Sequence, residues 1–307
     1  MIYSTIVQKI PIEKGWSGDL KYQAIAADST KYLLRISQAE RAQRKQREFA
    51  QMQKVAALGI PMCLPVECGF CEQGFYSLQS FIEGVDAEEC MPTLSRSQQY
   101  AYGLDAGRIL ARIHTIPAPD GVPSWQSRFD AKIDRKIAMY RDCELKYDVD
   151  QPLFDFIAHN RHALAGRPQT YQHGDYHVGN MMIDTTGQLV IIDFDREDYG
   201  DPWEEFNRIV WCAGVAPAFA SGMVDGYFDG NVPMEFWQLL ALYISSNTLS
   251  SLPWAIPFGE KEISVMKKQQ AEVLAWYDNM KQVIPVWYKS QSKEHVGKEI
   301  RDRQKHI

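Results

Sequence analysis

The chain has 307 residues, 45% of them hydrophobic and 23% charged, with a formal net charge of −6; that is an ordinary globular composition, long enough for two lobes with well-buried cores. The acidic balance argues against a general nucleic-acid binder, which needs a basic face, and is compatible with a cationic small-molecule substrate. No apolar run is long enough to span a membrane, and the first residues, MIYSTIVQKIPIEKG, lack the apolar segment of a signal peptide, so the expectation is a cytoplasmic protein whose six cysteines are reduced thiols.

Residues 6–22 predict strand, turn and strand, the turn being Lys14-Gly15-Trp16-Ser17-Gly18-Asp19. Glycines let backbone N–H groups approach an anion, and a serine hydroxyl adds a donor; taken alone, the segment is a plain hairpin turn. It is neither G-x-G-x-x-G nor a Walker A loop. Residues 31–36, KYLLRI, predict a strand with Lys31, Leu33 and Arg35 on one face and Tyr32, Leu34 and Ile36 on the other. Residues 40–58 predict a helix, with Phe49, Met52 and Ala56 at helical spacing, Glu48 beside that face and Gly59-Ile60-Pro61 ending it.

Residues 65–84 predict a β-hairpin running into a linker, with 75–79 as its second strand. The hairpin contains Cys68-Gly-Phe-Cys71. A zinc ribbon would require a second such pair, and a thioredoxin-like site a helix starting there; the sequence offers neither. From Ser97 the chain turns helical: Ala106, Ile109, Leu110 and Ile113 form an apolar stripe ending at His114, which reads as a packed or capping histidine. Residues 120–127 predict a loop, 128–147 a charged helix and 154–164 a further helix.

The stretch 171–195, YQHGDYHVGNMMIDTTGQLVIIDFD, carries the chemistry. His173, Asp175, His177 and Asn180 form one group, and Asp193 and Asp195 a second. Asp184-Thr185-Thr186-Gly187 is a turn, and Leu189-Val190-Ile191-Ile192 a buried strand ending at Asp193. A carboxylate at the end of a buried strand is costly unless paired, and a metal ion is a natural partner. H-x-D-x-H is also compatible with a metallohydrolase cluster, but no other His-rich segment supplies further ligands. Asp175-x-x-x-x-Asn180 followed by Asp193-Phe194-Asp195 has the spacing of the catalytic loop and D-F-G of kinases, with Gly174 in place of arginine.

Together, His173-Gly174-Asp175, Asn180 and Asp193-Phe194-Asp195 resemble the aminoglycoside phosphotransferase family of small-molecule kinases. The resemblance implies an α+β, protein-kinase-like two-lobed fold: a small antiparallel-sheet N-lobe (1–80), a linker (81–84) and a larger, mainly helical C-lobe (85–307). It implies an ATP-dependent (GTP possible) O-phosphotransferase in which Asp175 is the base that aligns the substrate hydroxyl. Asn180 and Asp193 become the ligands of Mg²⁺, and His173 a scaffold of the loop. Gly15, Ser17 and Gly18 become the phosphate lid. Arg35 stands at the phosphate-binding cation position, with Lys31 as the alternative, and Glu48 is its helix partner. The backbone of Gln79, Ser80 and Phe81 would meet the adenine edge. In Gly200-Asp201-Pro202-Trp203-Glu204-Glu205, Asp201 fits a helix N-cap and Glu204 a capping box, while Glu205 occupies the position that braces the catalytic loop.

Beyond residue 210 the chain is helical and aromatic-rich, with Asp225, Asp229, Glu235, Glu260 and Glu262 interspersed. The resemblance makes this region the substrate pocket; acids suit polycationic amino sugars, aromatics suit bulkier scaffolds, and most of the aromatics are core. The expected substrate is a hydroxylated small molecule: first an aminoglycoside-type antibiotic, with a macrolide or ordinary metabolite alcohol as alternatives. A nucleotide-binding pseudokinase regulator is a different class, against which the intact Asp175, Asn180 and Asp193 count. A protein kinase ranks lower for want of an A-P-E segment. Neither a nucleic-acid nor a membrane partner is expected.

Overall fold

A computed structural model describes residues 1–13, 18–196 and 198–290. In chain order the strands and helices are β1 (Ile6–Pro11), β2 (Leu20–Ala26), β3 (Lys31–Ser37), α1 (Ala42–Ala56), β4 (Pro65–Cys71), β5 (Gly74–Ser80), β6 (Gly84–Asp86) and α2 (Ala87–Cys90). Then follow α3 (Arg96–Ile113), α4 (Trp125–Asp142), α5 (Gln151–Asn160), β7 (Thr170–Gln172), β8 (Met181–Asp184), β9 (Leu189–Ile191) and β10 (Asp198–Gly200). The chain closes with α6 (Ile209–Val215), α7 (Pro217–Phe228), α8 (Met234–Ala255) and α9 (Glu260–Trp276). It divides into two units: Met1–Ala87 with Asn180–Glu197, and Glu88–Gly179 with Asp198–Ile307.

The first unit holds an antiparallel sheet of order β1-β2-β3-β5-β4. The alternation in β3 is what the residue pattern predicts. Leu34 and Ile36 join Ala24, Tyr76 and Leu78 in an apolar cluster covered by Ile2 and Tyr3. The opposite face carries Arg35, which lines a pocket with Phe75 of β5 and with Phe49 and Met52 of α1. A second small sheet, β6-β8-β9, belongs to the same unit. Its β9 is tied to the segment after α1 through Cys63 N–H to Ile191 O (3.1 Å) and Ile191 N–H to Pro61 O (3.0 Å). This is why residues 180–197 fold with the N-terminal strands although they follow the helices in sequence. Cys68 and Cys71 both lie on β4, three residues apart and so on opposite faces.

The second unit is mainly helical. Ser95 and Gln98 form a reciprocal capping box on α3. The Ser124 hydroxyl accepts from Ser127 N–H and starts α4 at Trp125, three residues before the predicted boundary. The closest packing is between α3 and α7, where glycines replace side chains on both partners. A Cβ on Gly103 would stand 2.1 Å from the Phe219 carbonyl oxygen, and one on Gly107 would stand 2.1 Å from that of Met223. Reciprocally, a Cβ on Gly222 would stand 2.1 Å from the Tyr100 carbonyl oxygen. Helix α8 packs on α4, α5 and α9, and Phe236, Trp237 and Tyr243 from it are core. Among the described residues, no helix is long and apolar enough to cross a membrane.

Gly222→Ala should therefore force the two backbones apart and destabilise the protein by roughly 1–3 kcal/mol or more, the usual range for overpacking. Gly214→Ala, whose Cβ would meet nothing closer than Glu272 Oε2 at 3.9 Å, should be neutral or mildly stabilising. Thermal melts of the two variants check this.

Candidate active site

In the first unit, one guanidinium gathers three carboxylates. Arg35 is buried on β3. Its Nη1 lies 2.5 Å from Asp193 Oδ1, and its Nη2 lies 2.6 Å from Asp195 Oδ2 and 3.4 Å from Asp19 Oδ2. Burial alone would lower the Arg35 pKa; Asp193, Asp195 and Asp19 outweigh it and raise it. Asp19, at the mouth of β2, also accepts from Ser37 Oγ (2.7 Å), Arg41 Nη1 (3.2 Å) and Lys45 Nζ (3.1 Å). Burial would raise the Asp19 carboxyl, but Ser37, Lys45 and Arg35 hold it below the usual value.

The expected Glu48–Arg35 pair does not form. Glu48 is buried on α1 and binds Lys45 Nζ (2.8 Å) and Arg44 Nε (2.7 Å), one turn back on its own helix. Lys45 is itself buried and links Glu48 to Asp19, so the role expected of Glu48 toward Arg35 falls to Asp19. Lys31, the alternative cation, is out on the surface with Glu83 (2.6 Å). A cation that the sequence reading passed over is Lys21, directly across from Arg35 in the β2–β3 register. Burial and then the Arg35 charge lower the Lys21 pKa, against the pull of Asp193, Asp195 and Asp19. Strand parity was the signal for it: residues facing each other across an antiparallel pair share a face.

Gly15 and Ser17 lie outside the described residues; Gly18 precedes β2, 3.9 Å from Arg41 Nη1 measured at its virtual Cβ. The adenine-edge expectation is narrowed. Ser80 N–H donates to Leu64 O (2.8 Å), and its hydroxyl accepts from Leu64 N–H (2.8 Å), so Ser80 spends its amide on strand pairing. Gln79 is buried in β5, and its Oε1 has no hydrogen-bond partner among the described residues. Phe81 follows the end of that strand.

Asn180 and Asp193 are brought together by backbone pairing. Ile192 N–H donates to Asn180 O (3.0 Å), continuing the Met181↔Ile191 register by one step. Asp193 then leaves the strand with φ 68°, a left-handed conformation uncommon outside glycine. Phe194 is buried and lines the pocket shared by Phe49, Met52 and Phe75. An amide oxygen and a carboxylate are hard-oxygen donors of the kind Mg²⁺ takes, and in this structure the Asp193 carboxylate is held by Arg35.

In the second unit, the H-G-D loop follows β7 and is held from behind by Glu205. Gly174 N–H donates to Glu205 Oε1 (3.0 Å) and Oε2 (3.2 Å), and Tyr176 N–H to Oε1 (3.4 Å). Glu205 is 2% exposed, so these loop amides lie among its main partners. Gly174 takes φ 85°, the positive value such a turn requires. Each histidine spends Nδ1 on the loop itself: His173 accepts from Asp175 N–H (3.3 Å) and His177 from Gly179 N–H (3.1 Å). His173 is fully buried. The Asp175 carboxylate faces Arg208 Nε at 3.2 Å and His177 Nε2 at 3.8 Å; of the two, only His177 stands out in the sequence.

Asp201 accepts from Trp203 N–H (3.0 Å), as a cap would, but it is fully buried and also takes both Arg167 donors (2.7 and 3.0 Å) and Tyr243 OH (2.6 Å). Glu204, expected in a capping box, instead pairs with Lys132 Nζ at 3.0 Å. His114 caps α3 and shares a hydrogen bond with Tyr227 OH through Nδ1 (2.9 Å).

The carboxylate at position 19 supplies a pH test of the first unit. Its folded pKa is depressed, so its stabilisation is complete above the ordinary carboxyl pKa of 3.8 and is lost as pH falls below that value. Asp19→Asn should cost on the order of 3 kcal/mol at pH 7, because it leaves buried cations short of a partner. The gap between wild-type and variant melting temperatures should then close as pH falls below 3.8.

Residues 10–237 match the model of the phosphotransferase enzyme family. Among solved structures, the chain is similar to aminoglycoside phosphotransferase APH(4)-Ia, with 15% identity and a TM-score of 0.65 over 89% of this chain and 94% of that one. It is similar to ADP-bound APH(2'')-Ib with 15% identity and a TM-score of 0.60, over 89% and 98%. It is similar to APH(2")-IIa in its gentamicin complex with 16% identity and a TM-score of 0.60, over 90% and 94%. No curated protein sequence matches it. At these identities the structural likenesses establish the fold, a sheet-based N-terminal lobe followed by a helical lobe, while the family match covers most of the chain. The chain belongs to the phosphotransferase enzyme family, the kinase-like nucleotide-dependent enzymes that its H-G-D-x-x-x-x-N and D-F-D motifs resemble.

Proposed function

We propose that the protein is a small-molecule kinase that transfers the γ-phosphate of ATP, or of GTP, to a substrate hydroxyl, with Asp175 as base. The observation that carries this reading is the catalytic loop itself: Gly174 and Tyr176 amides tied to buried Glu205 hold Asp175 in place, with its carboxylate paired to Arg208 rather than buried alone. A base fixed by its backbone needs little reorganisation when the hydroxyl arrives. Asp175 accepts the hydroxyl hydrogen bond, aligns the oxygen and takes the proton as the new P–O bond forms.

Asn180 and Asp193 would hold Mg²⁺, which when bound supplies charge neutralisation to the phosphates. Arg35 and Lys21 offer cationic donors to phosphate oxygens on the same sheet face. Gly15, Ser17 and Gly18 are assigned to the phosphate lid, and the backbone of Gln79 and Phe81 to the adenine edge. Glu48 acts on the cations through Lys45 rather than by direct pairing with Arg35.

For the acceptor, an aminoglycoside-type antibiotic has the support of the structural relatives, one of which is a gentamicin complex. A specific observation favours a metabolite alcohol instead. Of the acids counted toward a polycation pocket, Asp225 is buried and taken by Tyr100 OH (2.6 Å) and Tyr288 OH (2.6 Å). Asp229 ends α7, and Glu235 leans on Arg167 at 3.4 Å.

Purified protein with Mg²⁺ and ATP or GTP, screened by mass spectrometry against aminoglycosides, macrolides and hydroxylated metabolites, should yield one class carrying an added phosphoryl group. Asp175→Asn should lower that turnover by roughly 10²–10⁴-fold, as loss of a general base does, with nucleotide binding unchanged. Unchanged turnover would remove Asp175 from the mechanism. Asp193→Ala should abolish the Mg²⁺-dependent part of nucleotide affinity in a titration; retained Mg²⁺ dependence would reassign the metal ligand.

A further inference from the structure

The helical unit holds three cations that the reaction as described does not use, one of them at the base and two on α4. Arg208 Nε faces Asp175 at 3.2 Å; the same nitrogen is buried and has no partner that meets hydrogen-bond geometry. Lys132, on α4, pairs with buried Glu204 at 3.0 Å. One turn further along α4 stands Lys136, partly buried, with the neutral Asn247 Oδ1 of α8 as its hydrogen-bond acceptor at 3.2 Å.

Pairing leaves a remainder. Arg208 answers Asp175, and Lys132 answers Glu204. The strongest charges acting on Lys136 are Lys132 and Arg135 from its own helix, and Glu204 and Arg208 from the segment before α6. Three are cations, and the one acid is already held by Lys132. Burial, then Lys132, push the Lys136 ammonium down to about 7, against Glu204, with Arg208 and Arg135 adding to the shift. Glu88 Oε2 lies by Gly179, next to the His177 ring. A half-buried ammonium with no carboxylate paired to it among the described residues is held at a cost, and an incoming anion removes that cost. A polycation would add to it.

We propose that Lys136, with Lys132 and Arg208, forms an anion subsite beside the base, and that the hydroxylated acceptor carries a carboxylate or phosphate group. This rests on the kinase reading for its biological sense, but its test does not require turnover. Competitive trace acetylation of the full-length protein at pH 7, read by mass spectrometry, reports the reactivity of Lys136 directly. Inorganic phosphate and glycerol 3-phosphate are the probes; glycerol and gentamicin are the neutral and cationic controls.

Both anions should suppress Lys136 labelling, with glycerol and gentamicin without effect. No suppression by either anion, or equal suppression by gentamicin, overturns the subsite. In the phosphorylation screen, product should be confined to acidic acceptors. Lys136→Met should raise the acceptor KM roughly tenfold, the loss of one charge-assisted hydrogen bond, with kcat changed far less and Lys136→Arg restoring KM. Phosphorylation of gentamicin with a KM indifferent to Lys136→Met would overturn the subsite and leave the kinase reading standing. Anion-protected Lys136 in a protein that phosphorylates nothing would support the subsite and count against the kinase reading.

Discussion

A carboxylate taken out of water must be given partners, and that requirement shapes both units of this protein. In the sheet unit, Asp19, Asp193 and Asp195 converge on Arg35, and Asp19 is further shared with Ser37 and Lys45. In the helical unit, Glu205 is satisfied chiefly by backbone amides of the loop that it braces, and Asp201 by Arg167 and Tyr243. None of these acids is neutralised by one isolated pair. Sharing raises the number of hydrogen bonds per buried charge, and with it the geometric precision of the residues attached. The H-G-D loop inherits its shape from that arrangement.

The family was legible in the sequence because its motifs are local. Asp175 and Asn180 are five residues apart, and Asp193 stands at the end of a short strand; spacing fixes what such residues can reach. The fold followed, since alternation in β3 and apolar periodicity in α1 are properties of a few consecutive residues. Partnerships across sequence were less legible. Glu48 was matched to Arg35 by family logic, yet Lys45 lies a turn away on the same helix and reaches it first. Asp19 looked like a turn residue, and only folding shows it to be the acid that faces Arg35. Lys21 could have been found from strand pairing, and Arg208 could not, because nothing in its neighbourhood marks it.

Acidic residues counted by number misled more than those counted by position. Asp225 has the composition of a polycation pocket but the burial of a core residue, locked by two tyrosine hydroxyls. Lys136 is the opposite case: an unremarkable lysine in a charged helix becomes distinctive only when α8 offers it an amide oxygen instead of a carboxylate. Both ends of α4 differ from the expectation: Ser124 caps it three residues before the predicted start, and its end at Asp142 falls short of the predicted 147 because the following residues turn away to let Tyr140 OH receive Tyr147 N–H.

The left-handed backbone at Asp193 has an evolutionary corollary. Two filters act on that codon, one conformational and one chemical. Of the amino acids one nucleotide away from aspartate, asparagine, glycine and histidine tolerate a φ of 68° but surrender the carboxylate. Glutamate keeps the carboxylate but is poorly suited to the backbone and one methylene too long. No single mutational step away from aspartate keeps both the carboxylate and a side chain suited to this backbone.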